Sequence, residues 1–432
     1  MTSIYKNFFI ASVSRFITAL LGLAIIGFLT RHLGQAGYGA YETILSYLFI
    51  FTVLADFGLH IIHVREISRL PAEGGGPEKE GLISGSIFTL RLLSLILVIV
   101  LALIIGAFLP YSKEIKEGVL IASVFVLFSS LSQILAGIFQ KYQTFYLVSF
   151  SDVLTKLVQL GLVFYAVRAG LGLLSFIWIL SLTAGIQFAA VFFLSRRFIR
   201  FGLVFDFSYA QKILKASLPV AISILFTAIY IRTDALMLSL MKPISDVGIY
   251  RLSAKILEAL VFFPALLVEL TMPSFSRLAF KKEDAFDAVF KRTFNILFLM
   301  AVPVVLGLVI FAKPIVLILG GEEFAASALP LRILALVVGM VFLNNLGGKA
   351  LIALEFQKAG MWVYLSGAVL NIFSNLLVIP KYSYIGVSLT TLMTETLVTA
   401  MLFSILYKKT GFKPVLKNAL RDLKEFLKPE RI

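Results

Sequence analysis

Cysteine is absent from this 432-residue chain, and charged residues make up only 15% of it. Without a thiol the protein has no disulfide, thiolate metal site or cysteine nucleophile. The three histidines, His32, His60 and His63, are too few and too badly spaced for a zinc site. The three glycines at 74–76 lack the lysine and hydroxyl pair of a phosphate-binding loop. No cofactor is therefore expected, and the sequence carries no enzyme signature.

Apolar residues are what the chain has in excess, at 59% with a mean hydropathy of +0.97. A soluble domain is about half apolar and about a quarter charged. A membrane-spanning helix needs about 20 mostly apolar residues, and the first run is too long for a signal-peptide core. Twelve such runs lie near 8–30, 41–63, 82–109, 118–139, 145–167, 172–194, 216–241, 250–275, 293–312, 325–353, 360–379 and 384–407. We predict an all-α polytopic membrane protein with about 12 transmembrane helices.

The net charge of +15 lies mainly in short segments between these runs. Lysine and arginine in such segments orient membrane proteins, with the richer side in the cytoplasm. Their distribution predicts a multi-pass protein of the cytoplasmic (inner) cell membrane, with both termini inside, and no nucleic-acid partner. The basic and aromatic segment 196–215 divides the runs six and six, and it suits a helix on the inner membrane surface.

Four domains follow from this division: an N-terminal six-helix bundle (1–195), a cytoplasmic interfacial linker (196–215), a C-terminal six-helix bundle (216–407) and a basic amphipathic cytoplasmic tail (408–432). The tail has leucines at helical spacing, and a cluster of charge that only fixes topology is an equally good interpretation of it.

The two bundles have related sequences. GYGAY at 37–41 is similar to VGIY at 247–250, ISRL at 67–70 to FSRL at 275–278, and FQK at 139–141 to FQK at 356–358, with offsets of 209, 208 and 217 residues. Six helices per repeat give both halves the same orientation, so we expect a pseudo-two-fold axis along the membrane normal. Two such bundles in a V around a central cavity are typical of transporters that work by alternating access.

Four motifs stand out along the chain. They are Arg31, Leu33, Gly34, Tyr38, Gly39 and Tyr41, then Asp56, Phe57, Gly58, Leu59, Arg65 and Glu66, then Asp234, Leu238, Val247, Gly248 and Tyr250, and LPLRILAL at 329–336. These motifs resemble those of the polysaccharide-transporter branch of the MOP exporter superfamily, the Wzx-like oligosaccharide and lipid-linked sugar flippases. The resemblance implies translocation of a polyprenyl-(pyro)phosphate-linked oligosaccharide for surface polysaccharide biosynthesis. Its partners would be that substrate, membrane lipids, and a polysaccharide polymerase or glycosyltransferases.

Ionisable residues inside the spans cost about 2.5–3.5 kcal/mol each on insertion scales and usually face the bundle interior. Cations at several depths suit an anionic headgroup, because arginine binds phosphate in a bidentate manner. The candidates are Arg15, Arg65, Arg91, Lys156, Arg232, Arg251 and Lys255. Asp152 with Lys156, and Lys255 with Glu258, have the spacing of structural pairs on one helix, while Arg65 and Arg251 are close enough to span ends to reach the interface.

The acidic residues Asp56, Asp234 and Glu395 are candidates for coupling to H⁺ or Na⁺, and a role in helix packing is equally open for each. Arg232 and Asp234 point about 200° apart on a helix, so we do not expect them to pair. The alternative function is an ion-coupled multidrug or organic-cation antiporter of the same superfamily. Such a cavity would favour unpaired acidic groups, whereas the charges inside the spans here are mainly basic.

Overall fold

The computed structural model describes residues 2–70, 76–261, 264, 265, 267, 268, 271, 275 and 283–411. Within these residues the secondary structure is helical and contains no strand. The chain divides into two compact units, unit 1 (Met1–Arg232) and unit 2 (Thr233–Ile432). The predicted all-α class is confirmed.

Unit 1 contains α1 (Thr2–Asp56), α2 (Leu59–Arg69), α3 (Pro77–Phe108), α4 (Lys113–Lys141), α5 (Tyr146–Arg168), α6 (Leu173–Ser195) and most of α7 (Phe207–Met241). Its closest packing joins α4 to α6 and α1 to α5. Unit 2 contains the end of α7, α8 (Ile244–Leu260), α9 (Glu283–Gly320), a 3-10 helix (Glu322–Ser327), α10 (Ala328–Ala353) and α11 (Gln357–Thr410). There α10 packs against both α9 and α11.

Left-handed backbone conformations break the two longest helices. Gly34 (φ 66°, ψ −176°) divides α1, and Ser383 (φ 47°, ψ −131°) divides α11, so each comprises two helices joined across a kink. Phe57 (φ 46°) and Gly58 (φ 72°) end α1 and separate it from α2. The predicted span 41–63 therefore contains a break at 57–58, because two successive left-handed residues cannot continue a right-handed helix.

Eight stretches of described helix are long and apolar enough to cross a membrane. Two of them, Ile10–Arg69 and Gln357–Thr410, each contain two of the predicted spans, because the kinks do not interrupt the helical assignment. The chain is thus a multi-pass membrane protein. The count of twelve, the two-fold relation and the four predicted domains stay predictions, and the tail from residue 412 onward lies outside the described residues.

The linker after α6 is bound to unit 1 by close backbone packing. A Cβ on Gly81 would lie 2.5 Å from the carbonyl oxygen of Arg200, so only glycine lets α3 approach the linker this closely. The Phe88 and Phe201 rings lie 5.5 Å apart, and those of Phe139 and Phe198 lie 5.6 Å apart. These contacts hold the start of the predicted interfacial segment against the ends of α3 and α4.

Candidate functional site

In unit 1, two predicted site residues form one buried ion pair. Arg91 Nη1 on α3 lies 2.8 Å from Asp56 Oδ1, the last residue of α1, and the arginine side chain is completely buried. Ser94 joins the same helices by donating a hydrogen bond to the carbonyl oxygen of Ala55 at 3.0 Å. The guanidinium neutralises the carboxylate, so in this conformation Arg91 is closed to a headgroup. Contact between Arg91 and the substrate stays a prediction, and it requires a conformation in which the Asp56–Arg91 ion pair is broken.

His63 joins three helices of unit 1. Its side chain is fully buried on α2, with Nδ1 3.0 Å from the carbonyl oxygen of Ile134 on α4 and Nε2 3.1 Å from Ser84 Oγ on α3. Both ring nitrogens have partners within the unit, which gives His63 a packing role.

In unit 2, Asp234 is buried among hydroxyl groups. Tyr250 on α8 donates a hydrogen bond to Asp234 Oδ2 at 2.5 Å, and the backbone N–H of Ala235 donates to Oδ1 at 3.2 Å. Thr391 Oγ1 on α11 lies 3.3 Å from Oδ2, and its proton has a closer acceptor in its own helix, the carbonyl oxygen of Val387 at 2.9 Å. Among the described residues, no lysine, arginine or histidine nitrogen lies within 4.0 Å of this carboxylate. Apolar side chains, including Ala235 and Leu238, form the surrounding core. The Tyr250 hydroxyl and the Ala235 N–H stabilise the charge but do not neutralise it.

Glu395, the third candidate acid, lies one turn beyond Thr391 on the same face of α11. Its Oε2 accepts a hydrogen bond of 2.5 Å from Asn344 Nδ2 on α10. Asn371 and Asn375 add a second amide contact on α11, with 3.0 Å between Asn375 Nδ2 and Asn371 Oδ1. Each of the two helices that make up α11 thus buries polar side chains in a largely apolar sequence.

The candidate basic residues of α8 share one carboxylate. Arg251 Nη2 lies 3.1 Å from Glu258 Oε1, and Lys255 Nζ lies 3.5 Å from Glu258 Oε2. The predicted pair between Lys255 and Glu258 is therefore confirmed. Arg251 is only 2% exposed, so its guanidinium lies inside the unit rather than at an interface.

The remaining arginines differ in exposure. Arg15 on α1 is exposed, and Arg65 on α2 donates to the adjacent Glu66 at 3.0 Å with two fifths of its side chain exposed. Arg232 is half-buried, with its guanidinium carbon 4.9 Å from the centroid of the Phe49 ring. This distance is that of a cation–π contact.

A polar cavity of about 270 Å³ lies inside unit 1 between α1, α4, α5 and α6. We call it the α5 cavity. Its lining residues are Thr18, Phe125, Ser129, Asp152, Thr155, Lys156, Gln159, Leu180, Thr183, Ala184 and Gln187. Lys156 Nζ donates to Gln159 Oε1 at 2.8 Å, and Gln187 Nε2 donates to Asp152 Oδ1 at 2.6 Å. The structure thus gives Asp152 and Lys156 an amide partner each. The glutamines were missed from the sequence, since neither carries a charge.

Comparison with known families matches this chain to transport-related families. The family described as "Polysaccharide biosynthesis protein" matches residues 4–279, more than half of the chain, and the MatE family matches residues 219–377. Comparison with curated proteins gives no match.

Solved structures share the fold at low identity. The lipid II flippase MurJ in an inward closed conformation is 16% identical, with a TM-score of 0.78 over 96% of this chain and 90% of that one. An inward-facing multidrug resistance MATE family transporter of the MOP superfamily is 12% identical, with a TM-score of 0.73 over 91% and 94%. A MOP superfamily transporter from Pyrococcus furiosus is 13% identical, with a TM-score of 0.66 over 94% and 96%.

The sequence match and the shared fold agree with each other and with the buried, charged helices described above. The chain belongs to the polysaccharide biosynthesis protein family, in the polysaccharide-transporter branch of the MOP exporter superfamily.

Proposed function

We propose that this protein is a flippase that moves a polyprenyl-(pyro)phosphate-linked oligosaccharide across the cytoplasmic membrane for surface polysaccharide assembly. It would act as a transporter and not as an enzyme, with both termini in the cytoplasm. The observation that carries the proposal is the placement of Arg15, an exposed cation close enough to the α5 cavity to act electrostatically on Asp152. A cation beside a polar cavity, in a membrane-spanning bundle of this family, suits a phosphorylated sugar.

We assign the basic residues to the anionic headgroup of the substrate and the acidic residue Asp234 to the coupling ion. Arg15 on unit 1 would bind the phosphate, since arginine offers a fork of donors. Arg232, stacked on Phe49, is a further anion contact. Asp234, a buried carboxylate that accepts hydrogen bonds from the Tyr250 hydroxyl and the Ala235 backbone N–H, would bind the coupling H⁺ or Na⁺. Alternating access would then expose these groups to each side of the membrane in turn.

Translocation in vesicles tests the proposal. The purified protein is reconstituted with a fluorescent polyprenyl-diphosphate oligosaccharide, and the lipid reaching the far leaflet is measured with an impermeant quencher. Arg15→Ala and Arg232→Ala should each slow translocation about tenfold to a hundredfold, because hydrogen bonds to charged groups contribute about 1.5–3 kcal/mol. Arg15→Lys should retain part of the rate, since it keeps the charge and loses the fork.

Arg168→Ala is the matched control for Arg232→Ala. Arg168 also stacks on a phenylalanine, 5.3 Å from the centroid of the Phe164 ring, but lies at the end of α5 and has no assigned substrate role. Equal rates in wild type, Arg15→Ala and Arg232→Ala would overturn the headgroup assignment.

The alternative, an organic-cation antiporter, has one specific observation in its favour, the MatE match over residues 219–377. The same vesicles distinguish the two functions. Ion-driven efflux of ethidium without movement of the lipid-linked sugar would replace the flippase with the antiporter.

A further inference from the structure

We propose that the α5 cavity is a sugar subsite, which binds one uncharged sugar residue of the lipid-linked oligosaccharide inside unit 1. The inference rests on the proposed flippase function. It specifies which part of the substrate unit 1 recognises. It assigns to Gln159, Gln187 and Thr155 a role in specificity that their sequence positions do not reveal.

The cavity presents hydrogen-bond donors and acceptors in alternation. Thr155 Oγ1 donates to Gln187 Oε1 at 2.8 Å, and Gln187 Nε2 donates in turn to Asp152 Oδ1 at 2.6 Å. On the same helix, Lys156 donates to the carbonyl oxygen of the Gln159 side chain. Each amide nitrogen carries two N–H groups and each amide oxygen two lone pairs. One bond to a neighbour therefore leaves further donors and acceptors for a ligand.

This mixture suits hydroxyl groups better than a lone cation or anion. A cation site needs acceptors alone, and an anion site needs donors alone. Here the charges of Asp152 and Lys156 are opposite and one turn apart, so together they add no net charge. Sugar hydroxyls both donate and accept, so they can use both kinds of partner at once.

The walls and the volume also suit a single sugar ring. Phe125, Leu180 and Ala184 give one side of the cavity an apolar surface, which matches the C–H face of a pyranose. About 270 Å³ corresponds to roughly nine waters at about 30 Å³ each. A single sugar residue fits this space, and an oligosaccharide chain would have to continue beyond it.

A second cavity on the same helices shows that this polarity is local. About 460 Å³ in volume, it is lined by Val124, Phe128, Trp178, Ser181, Leu182, Gly185, Ile186 and Ala189 of α4 and α6. Its lining carries no charged or amide side chain. The α5 cavity, which uses other faces of α4 and α6, is the one that gathers amide, hydroxyl and charged groups.

The absence of cysteine from the chain makes a direct test possible. Ser129→Cys places a single thiol in the cavity lining, and Ser132→Cys, one turn along α4 and outside that lining, is the matched control. The rate at which a small maleimide alkylates each thiol is measured with and without free glucose, galactose or N-acetylglucosamine, which are the ligands tested. At about ten times the dissociation constant, a bound sugar should slow alkylation of Ser129→Cys about tenfold and leave Ser132→Cys unchanged. Protection by choline or inorganic phosphate instead, or by none of these, would overturn the subsite.

Transport gives the second test and separates this inference from the proposed function. Gln187→Leu and the milder Thr155→Val should slow translocation of the lipid-linked oligosaccharide, the first about tenfold, because about 1.4 kcal/mol of hydrogen bonding is lost. Gln133→Leu, on α4 and outside the cavity, is the control and should match wild type.

The two hypotheses fail differently. If wild type translocates the lipid while Gln187→Leu and Thr155→Val equal Gln133→Leu, the subsite is wrong and the flippase stands. If wild type moves no lipid-linked sugar but free sugar protects Ser129→Cys, the sugar site stands and the proposed function is wrong.

Discussion

Asp56 in unit 1 and Asp234 in unit 2 are both buried acids, yet their partners differ in kind. Asp56 faces a permanent cation, Arg91, at 2.8 Å. Asp234 accepts a hydrogen bond from the hydroxyl of Tyr250, and the hydroxyl oxygen of Thr391 lies 3.3 Å away. A guanidinium cancels the charge of a carboxylate, whereas a hydroxyl only solvates it. The first arrangement therefore suits packing, and the second leaves a charge that a proton or a metal cation can compensate.

The predicted internal repeat does not extend to Asp234. The offset of 209 residues that relates Tyr41 to Tyr250 places Ile25 at the position of Asp234. Ile25 is buried, at 4% exposure. Unit 1 has a different buried acid next to Tyr41, Glu42, which accepts a hydrogen bond of 3.4 Å from Tyr38.

The largest expected effect comes from breaking the Asp56–Arg91 pair. Asp56→Asn leaves a fully buried guanidinium without a counter-charge, which costs about 3–5 kcal/mol of folding free energy. The free energy of unfolding in detergent, by denaturant titration, measures it. The double variant Asp56→Leu/Arg91→Met should recover most of this loss, since it removes both charges. A double variant as unstable as Asp56→Asn would contradict the structural role of the pair.

Asp234→Asn should change transport and leave stability unaffected, the opposite of Asp56→Asn. Asparagine keeps an oxygen for Tyr250 and Thr391 and removes the charge, so we expect wild-type stability or slightly above. Translocation should lose its response to an imposed H⁺ or Na⁺ gradient, a loss of about five- to 150-fold in coupling. Rates in vesicles with and without each gradient measure this. A gradient response equal to that of wild type would remove Asp234 from coupling.

A finer comparison separates the two hydroxyls on Asp234. Tyr250→Phe removes the 2.5 Å bond and should cost about 1.5–3 kcal/mol when Asp234 is charged. Thr391→Val removes a contact of 3.3 Å and should cost less than half as much. The free energy of unfolding of each variant, in the wild-type and Asp234→Asn backgrounds, gives the coupling energy. Equal costs for the two variants would show that the bond lengths do not rank the interactions.

The smallest expected effect concerns Glu80, an acid with both kinds of partner. Lys141 Nζ lies 2.5 Å from its Oε1, and Tyr142 donates to its Oε2 at 2.7 Å. Because Lys141 still neutralises the carboxylate, Tyr142→Phe should cost about 1 kcal/mol or less. The same substitution in a Lys141→Met background should cost more.

The phenol of Tyr142 also gives this site a pH signature. Tyr142 lies between α4 and α5, where burial and the bond to Glu80 raise its pKa from 10 to about 12. The folded state thus favours the protonated phenol, so its contribution is complete below pH 10 and is lost as the pH rises through 12. The ultraviolet titration of wild type minus Tyr142→Phe should have its midpoint near pH 12. A midpoint near 10 would contradict the contact.

The sequence by itself determined the class, the family and the contacts that are local along a helix. Runs of about 20 apolar residues must form helices in a membrane, because backbone groups find no other partners there. Lys255 and Glu258 were correctly predicted to pair, since three residues along a helix place side chains on the same face.

Only the tertiary structure decided the contacts between helices. Helices that are apolar on nearly every face leave their rotation undetermined by hydropathy, so Asp56 was not predicted to meet Arg91, nor Asp152 to meet Gln187. Phe57 and Ser383 adopt left-handed conformations that neither residue type favours. Packing against distant segments imposes these breaks, and the same packing places amides, hydroxyls and charges around one cavity. Such an arrangement depends on distances between residues that are far apart in the sequence, and these distances cannot be derived from the sequence alone.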